Sequence, residues 1–145
     1  MRGAAGPGGL KVKLAGLILL SVALVGSPAL ATEMQQVPQV GLEGPDSDAC
    51  VGVGRVSRAN LTRDGRLPVY PMPTDESRAK DHLNSDTLVW LCEAAGEWQG
   101  IVYASGDFQD LGDCRVSSPV IAPRAYSGPC RSGWVAASSL QLVAG

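Results

Sequence analysis

The chain has little of what enzymes and nucleic-acid-binding proteins use to recognise a ligand. Its 145 residues include one histidine, one phenylalanine and only 5% aromatic residues, and 18% of the residues are charged. The 12 basic residues do not outnumber the 14 acidic ones, so the basic surplus that binds a polyanion is missing. The sequence also lacks a phosphate-binding glycine loop, a G-x-S-x-G turn and a C-x-x-C pair. We therefore expect no nucleic-acid partner, no catalytic set, no cofactor and no metal.

The longest apolar stretch is short and lies near the N-terminus. Residues 14–25 form a 12-residue segment without charge, and three basic residues precede it: Arg2, Lys11 and Lys13. Ala29 and Ala31 follow as an A-x-A cleavage site. Twelve helical residues span about 18 Å, less than the roughly 30 Å of a hydrocarbon core. We interpret residues 1–31 as a secretory signal peptide, and we expect a periplasmic or secreted mature protein with no further membrane span.

The remaining chain has the size of one domain. Residues 32–145 carry nine basic and 14 acidic residues, a formal charge of −5. Residues 32–49 contain four acids, no base and several prolines and glycines, and they follow neither the strand nor the helix period. We expect this segment to be a flexible leader, followed by a single domain over 50–145.

Four cysteines lie in the exported part: Cys50, Cys92, Cys114 and Cys130. In an oxidising compartment an even number of cysteines indicates disulfides rather than metal ligands or nucleophiles. Three pairings are possible. The short loop between Cys114 and Cys130 is the easiest to close, which leaves Cys50 to pair with Cys92.

From Cys50 onward short apolar runs alternate with turn residues, which predicts an all-β fold. The clearest hairpin joins residues 88–92 to 98–103 through a glycine-containing loop at 93–97. A first strand is expected near residues 51–56 and two final strands at 133–135 and 140–143. Residues 104–129 are rich in proline and glycine, and we expect a long loop held by the second disulfide.

Three stretches resemble a bacterial SH3-like domain, a small barrel of about five strands. They are the segment Gly65-Arg66-Leu67-Pro68-Val69-Tyr70-Pro71-Met72-Pro73, the hairpin from Val89 to Ile101 with Gly96-Glu97-Trp98 at its turn, and Ser132-Gly133-Trp134-Val135 followed by Ser139-Leu140. The resemblance covers roughly residues 50–143 with an insertion at 104–130, and its cysteines resemble a subgroup of exported proteins with this fold. It implies an SH3-like barrel that binds cell-wall peptides or partner proteins. The run Tyr70-Pro71-Met72-Pro73 departs from the family pattern, so ligand contacts of that loop are not carried over.

Six aromatic residues are candidates for a recognition surface: Tyr70, Trp90, Trp98, Tyr103, Tyr126 and Trp134. Aromatic grooves receive extended or proline-rich peptides and stack on sugars, although a small barrel also needs aromatic rings in its core. We expect Trp98 and Tyr70 to be accessible, and Trp134 to be buried because Gly133 indicates close backbone packing. The predicted binding residues are Tyr70, Trp98, Tyr103 and Tyr126.

Three charged features favour ordinary solvated surface over a site. The first is an acidic loop without EF-hand spacing, formed by Asp107, Asp110 and Asp113. The second is a basic cluster that could bind carboxylates, formed by Arg55, Arg58, Arg63 and Arg66. The third is His82, flanked by Asp81 and Asp86, which we expect to be exposed. A nucleophile pair of His82 with Cys50 competes with the simpler role of Cys50 in a disulfide.

These features of the sequence lead to two hypotheses of function. The leading hypothesis is a non-enzymatic binding module of the cell envelope that holds a wall peptide, a glycan or a partner protein on an aromatic face. The alternative is an envelope hydrolase, or an inhibitor of one, that acts through residues 104–129, because a rigid loop loses little entropy on binding.

Overall fold

A computed structural model gives the fold and describes residues 34–105 and 109–145, together with six isolated glycines within the first 26 residues. Contacts within the chain divide it between Ala31 and Thr32. Apart from those glycines, the predicted signal peptide lies outside the described residues. In the part that is described, no helix has the length and apolar character needed to cross a membrane.

The described residues contain nine strands and three 3₁₀ segments, and no α-helix among them, so the all-β prediction is confirmed. The strands are β1 (Gln39–Val40), β2 (Gly52–Val56), β3 (Arg66–Val69), β4 (Asp81–Asn84), β5 (Leu88–Ala95), β6 (Trp98–Tyr103), β7 (Arg124–Ala125), β8 (Arg131–Ala136) and β9 (Leu140–Ala144). The 3₁₀ segments are Arg58–Asn60, Leu111–Cys114 and Ala137–Ser139.

The main sheet has five antiparallel strands in the order β8-β6-β5-β2-β9. Its central hairpin is the one predicted, but the connection is tighter than expected. Strand β5 continues to Ala95, which pairs with Trp98, so only Gly96 and Glu97 form the turn. Gly96 has a φ of 60°, as the first central residue of a type II′ turn requires.

Two smaller antiparallel sheets accompany the main one: β3 pairs with β4, and β1 pairs with β7. The described residues form three separate sheets. These sheets do not close into a barrel within the described part of the chain. Pro68 lies in β3, which has one strand partner, in keeping with the edge position expected for a strand that contains proline. An isolated bridge from Tyr70 to Trp134 joins the end of β3 to β8.

Both faces of the main sheet are covered. Along β6, Ile101 and Tyr103 belong to one buried cluster, whereas Val102 between them belongs to another. The first cluster lies under the β3–β4 hairpin and consists of Val56, Leu67, Val69, Leu83, Val89, Ile101, Tyr103 and Val135. Because side chains alternate between the faces of a strand, an unbroken apolar run such as Ile101-Val102-Tyr103 marks a strand buried on both sides.

The described part of the segment expected to be a flexible leader, residues 34–49, covers the opposite face instead. Residues 36–49 take part in the fold through β1, through buried Val40 and Ala49, and through the Gln36 N–H, which donates to Pro71 O at 2.9 Å. The described residues after 108 in the expected loop at 104–129 lie on the same face, where Val116 and Tyr126 are buried. The two segments meet where β1 pairs with β7. These strands lie far apart in the chain, so no local sequence pattern indicates their pairing.

Both disulfides lie on this second face, with the pairing favoured from the sequence. Cys50 and Cys92 are bonded, as are Cys114 and Cys130, and no cysteine is free. Cys92 occupies a bulge in β5, where the register to β6 shifts between Leu91 and Glu93. A bulge re-aims a side chain, and here it brings Cys92 to Cys50, which lies just before β2.

Candidate binding site

Two of the four predicted binding residues meet at the surface. The ring centroids of Tyr70 and Trp98 are 5.5 Å apart, and the ring planes stand at 89° to each other. Both residues are half-buried. An edge-to-face pair contributes about 0.5–1.5 kcal/mol beyond its area burial, so the two rings fix each other's orientation. The pair is a preformed aromatic surface with part of its area open to solvent.

The main chain of Tyr70 is fixed on β8. Its N–H donates to Trp134 O at 2.8 Å, and its carbonyl oxygen accepts from the Trp134 N–H at 2.9 Å. This close approach needs Gly133, because a Cβ there would lie 3.0 Å from the Tyr70 oxygen and against the side chain of Val69. The glycine that predicted close packing next to Trp134 therefore also positions Tyr70.

Trp98 is the first residue of β6 and follows the hairpin turn. Its strand neighbours are small on both sides: Ala95 on β5 and Ala136 on β8. Cross-strand neighbours of this kind normally contact each other, and two alanines leave space beside the indole ring.

Two shallow depressions lie beside the indole ring of Trp98. One, of about 230 Å³, lies beside both aromatic rings and is lined by Thr62, Leu67, Pro68, Tyr70, Asp75, Trp98, Ala136 and Ser139. The other, of about 340 Å³, is lined by Glu97, Trp98, Ala136, Ala137 and Ser138. Trp98 and Ala136 border both. We call the two depressions together the Tyr70–Trp98 cleft; its apolar walls with a few polar groups suit a side chain or a single sugar ring.

The charge of the Tyr70–Trp98 cleft is acidic. Asp75 lines one depression and Glu97 the other, both residues are exposed, and no basic residue is among those that line the two depressions. Coulomb interactions over such short distances favour a neutral or cationic ligand group over an anionic one.

Tyr103, the third predicted binding residue, lies in the interior with 1% of its surface exposed. Its hydroxyl donates to Asp81 Oδ2 at 2.9 Å. Burial, together with the Asp81 carboxylate, raises the pKa of Tyr103 well above its ordinary value. The residue borders a separate polar depression of about 390 Å³, but its ring belongs to the cluster under the β3–β4 hairpin.

Tyr126, the fourth, is 9% exposed and joins the two ends of the second disulfide. Its hydroxyl donates to Cys114 O at 2.9 Å and accepts from the Cys130 N–H at 3.0 Å. Gly128 allows this, because a Cβ there would collide with the tyrosine ring. The structure thus places Tyr103 and Tyr126 in the packing of the fold, away from the aromatic surface.

The two remaining tryptophans also serve the fold. Trp134 is fully buried, as expected, and its Nε1–H donates to Gln36 O at 2.7 Å. The Trp90 Nε1–H donates to Leu111 O at 2.8 Å and so ties β5 to the disulfide-bonded loop.

The charged features of the sequence do not assemble into one site. In the basic cluster, Arg58 binds Asp86 at 2.6 Å and Arg66 lies 3.8 Å from Asp64. The hydrogen bond from Arg58 to Asp86 raises the pKa of the guanidinium. His82 is exposed on β4, on the other side of the sheet from the Cys50 disulfide.

The acidic loop is only partly described, because Asp107 lies outside the described residues. Asp113 Oδ2 accepts a hydrogen bond of 2.7 Å from the Asp110 N–H and thereby caps the 3₁₀ segment Leu111–Cys114. Among residues 34–105 and 109–145, no group of three or more His, Cys, Asp or Glu could hold a metal ion.

A polar cluster around Asp81 has no counterpart among the predicted sites. Asp81 Oδ2 accepts from Tyr103 and, at 3.1 Å, from Arg131, while Asp81 Oδ1 accepts from the His82 N–H at 2.8 Å. Burial acts to raise the pKa of Asp81, but these hydrogen bonds outweigh it and lower the pKa. Arg131 is 50 residues away in sequence, so no motif spacing could have indicated the cluster.

Comparisons of the chain with family models, with curated proteins and with solved structures found no match.

Proposed function

We propose that residues 32–145 are an exported, non-enzymatic binding module of the cell envelope that holds a wall peptide, a glycan or a partner protein in the Tyr70–Trp98 cleft. The observation that carries the proposal is the edge-to-face pair of two half-buried rings with a depression on each side of Trp98. Because the two rings are already held in place, they lose little conformational entropy when a ligand binds to them.

The residues that line the cleft indicate which chemical groups a ligand would present to it. Pro68 and the two rings offer flat apolar walls, which suit an extended peptide or the face of a sugar. Asp75 and Glu97 favour a neutral or amine-bearing segment at this place. An anionic polymer would meet repulsion both here and from the overall charge of −5.

Two further features support this proposal. The β3–β4 hairpin packs over a five-stranded antiparallel sheet, an arrangement that supports the proposed relation to SH3-like domains. Two disulfides support an oxidising compartment, and the sequence of residues 1–31 supports export to it.

Co-sedimentation of the oxidised fragment 32–145 with insoluble peptidoglycan tests the proposal. We expect retention that survives moderate salt, because ring stacking and apolar contact are screened less than exposed charge pairs. Trp98→Ala should lower the affinity by about tenfold or more, since truncating a central aromatic anchor of an interface costs about 2 kcal/mol or more.

Ile121→Ala is the matched control, because it removes an exposed apolar side chain that lines neither depression of the cleft. It should bind like the parent protein. Equal retention of folded Trp98→Ala and parent protein would show that the cleft is not the binding surface. Absence of retention for the parent protein would remove the wall ligand and leave a protein partner for the same cleft.

A second candidate function, inhibition of an envelope hydrolase, is favoured by one residue. Ile121 is 96% exposed at the tip of a loop that lies between the two half-cystines Cys114 and Cys130. The loop is held at its base by the bridge from Asp48 to Pro119 and by the β1–β7 pair. Residues 114–130 include two arginines and no acid, so the loop is positive on a negative protein.

An apolar tip on such a fixed loop suits a pocket with an apolar floor and an acidic rim in another protein. Inhibition assays with a muramidase, a wall amidase and a serine peptidase that has an apolar primary pocket test this function. Inhibition by the parent protein that is lost in Ile121→Asp and kept in Trp98→Ala would establish it. No inhibition of any of the three enzymes, or equal inhibition by Ile121→Asp, would count against it.

A further inference from the structure

A separate depression of about 210 Å³ lies on the second face of the main sheet and shares no lining residue with the Tyr70–Trp98 cleft. Two arginines, Arg115 and Arg124, line it. Its apolar walls belong to the buried cluster on that face or pack against it, and they are formed by Val40, Ala49, Val116, Val120 and Tyr126. We call this depression the Arg115–Arg124 pocket.

The fold fixes the main chain of both arginines. Arg124 lies in β7, where it pairs with Val40 of β1. Arg115 directly follows Cys114 and ends the 3₁₀ segment with a left-handed φ of 59°, and its N–H donates to Gly112 O at 3.5 Å. Glycine or asparagine is the ordinary choice at such a position. The backbone therefore gives no reason for an arginine here.

The positive charge of the pocket is not balanced within the protein. In the described part of the chain, the ion pairs of arginines are those of Arg58, Arg66 and Arg131, so the Arg115 and Arg124 side chains are unpaired there. The charge of Arg115 also reaches the Tyr126 hydroxyl: burial raises the pKa of Tyr126, and the guanidinium acts against that rise. Two like charges at one pocket repel each other, and an anionic group bound by both would offset this repulsion.

A second depression, of about 420 Å³, shares Val120 and Arg124 with the pocket. It is lined by residues 119–124, of which all except Arg124 are apolar. No acidic residue occurs in residues 114–130, so neither the pocket nor its neighbour receives a carboxylate from this loop. The two depressions together suit a ligand that has an anionic end and an apolar remainder longer than one residue.

We propose that the Arg115–Arg124 pocket binds the free C-terminus of an extended peptide whose last side chain is small and apolar. The terminal carboxylate lies against the two guanidinium groups, whose planar forks suit a carboxylate. The last side chain packs against the valines of the pocket, and the preceding residues lie over the second depression. A volume of 210 Å³ equals about seven water molecules at about 30 Å³ each, which suits a residue of the size of valine. This site does not rest on the function proposed for the Tyr70–Trp98 cleft.

Titration of the oxidised fragment 32–145 with N-acetyl-alanyl-valine, followed in ¹⁵N–¹H spectra, tests the proposal. The fragment is suitable since it forms one compact unit with both buried clusters and both disulfides. We expect saturable shifts of the main-chain amides of Val116, Val120 and Ser127, with a Kd on the order of 1 mM for a ligand of this size. The same peptide with a C-terminal carboxamide should bind about tenfold more weakly, because it loses the charge-assisted hydrogen bonds.

Arg124→Gln should weaken binding of the free acid by about fivefold or more, since glutamine keeps a polar side chain but removes the charge. Arg63→Gln is the matched control: it removes the same charge from an exposed arginine that lines neither depression, and it should bind like the parent protein. Trp98→Ala should also bind the peptide normally, which separates this site from the Tyr70–Trp98 cleft. No saturable shift at the three amides, equal binding of the acid and the carboxamide, or equal loss in both arginine variants would each overturn the proposal.

Discussion

The hydroxyl of Tyr103 on β6 donates to Oδ2 of Asp81 on β4 across 2.9 Å, and Arg131 on β8 reaches the same oxygen at 3.1 Å. One carboxylate therefore ties the β3–β4 hairpin to two strands of the main sheet. The Tyr103 hydroxyl stays protonated, because burial and Asp81 raise its pKa. Within the ordinary pH range, the strength of this hydrogen bond therefore depends only on whether the Asp81 carboxyl group is ionised.

Stability should fall in acid as Asp81 becomes protonated. Its pKa is lowered by the fold, so its contribution is present above the unfolded-state pKa of about 3.9 and is lost as the pH falls through the lower folded-state value. Asp81→Asn should lower the free energy of unfolding by about 1–2 kcal/mol at neutral pH. The difference from the parent protein should shrink as the pH falls below the folded-state pKa.

Urea unfolding at several pH values measures this difference. Asp75→Asn is the control, since Asp75 is an exposed carboxylate away from the Tyr103–Asp81 bond, and it should be nearly neutral. An Asp81→Asn difference that is equally large in acid and at neutral pH would contradict the assignment.

Features encoded by neighbouring residues were predictable from the sequence. The glycine-containing loop between two runs of β-branched and aromatic residues indicated the central hairpin, and Gly133 next to Trp134 indicated the close packing around Trp134. Loop length favoured the observed disulfide pairing among the three that are possible. Each of these signals acts over a short distance in the chain or through a small number of alternatives.

Features that join distant residues were not predictable in the same way. Residues 36–49 have the composition of a loop, and they are ordered because their few apolar side chains fit the second face of the sheet. Of the four predicted binding residues, Tyr70 and Trp98 were the two expected to be accessible, and they meet. The burial of Tyr103 and Tyr126 was not predictable, because their hydroxyl groups bind Asp81 and Cys114 on other segments.

The two disulfides should contribute unequally to stability. The Cys50–Cys92 bond closes a separation of 42 residues, and the Cys114–Cys130 bond one of 16. If disulfides act by reducing the entropy of the unfolded chain, the bond that closes the longer loop adds about 4 kcal/mol to the free energy of unfolding and the other about 3 kcal/mol. Urea unfolding of the variants with both cysteines of one bond replaced by alanine should show the larger loss for Cys50 and Cys92. A larger loss for Cys114 and Cys130 would show that native packing around Tyr126 outweighs chain entropy.

Gly41 should tolerate no side chain. Its φ is 81°, and a Cβ would collide with Val120, whose side chain packs over it. Gly41→Ala should cost about 2–4 kcal/mol, from left-handed strain of about 1–2 kcal/mol together with overpacking.

Gly44→Ala separates these two causes. Gly44 also has a positive φ, 99°, but nothing lies within 4 Å of its Cβ position, so only the backbone strain applies. Thermal unfolding should therefore rank the parent protein above Gly44→Ala, and Gly44→Ala above Gly41→Ala. Equal losses in the two variants would mean that Val120 moves aside without cost.

Gly133→Ala should disturb the fold and the cleft together. The added Cβ would lie 3.0 Å from the Tyr70 oxygen and against Val69, so β3 must move away from β8. We expect a loss of about 1–3 kcal/mol in the free energy of unfolding. Because Tyr70 moves with β3, the ring contact with Trp98 should weaken, and the indole Nε1–H resonance of Trp98 should shift in a ¹⁵N–¹H spectrum, which separates it from those of Trp90 and Trp134. Gly112→Ala is the control, since its Cβ position is open, and it should leave stability and this resonance near those of the parent protein. An unchanged Trp98 resonance in a destabilised Gly133→Ala would show that Trp98, and not the backbone bridge at Trp134, holds the Tyr70 ring in place.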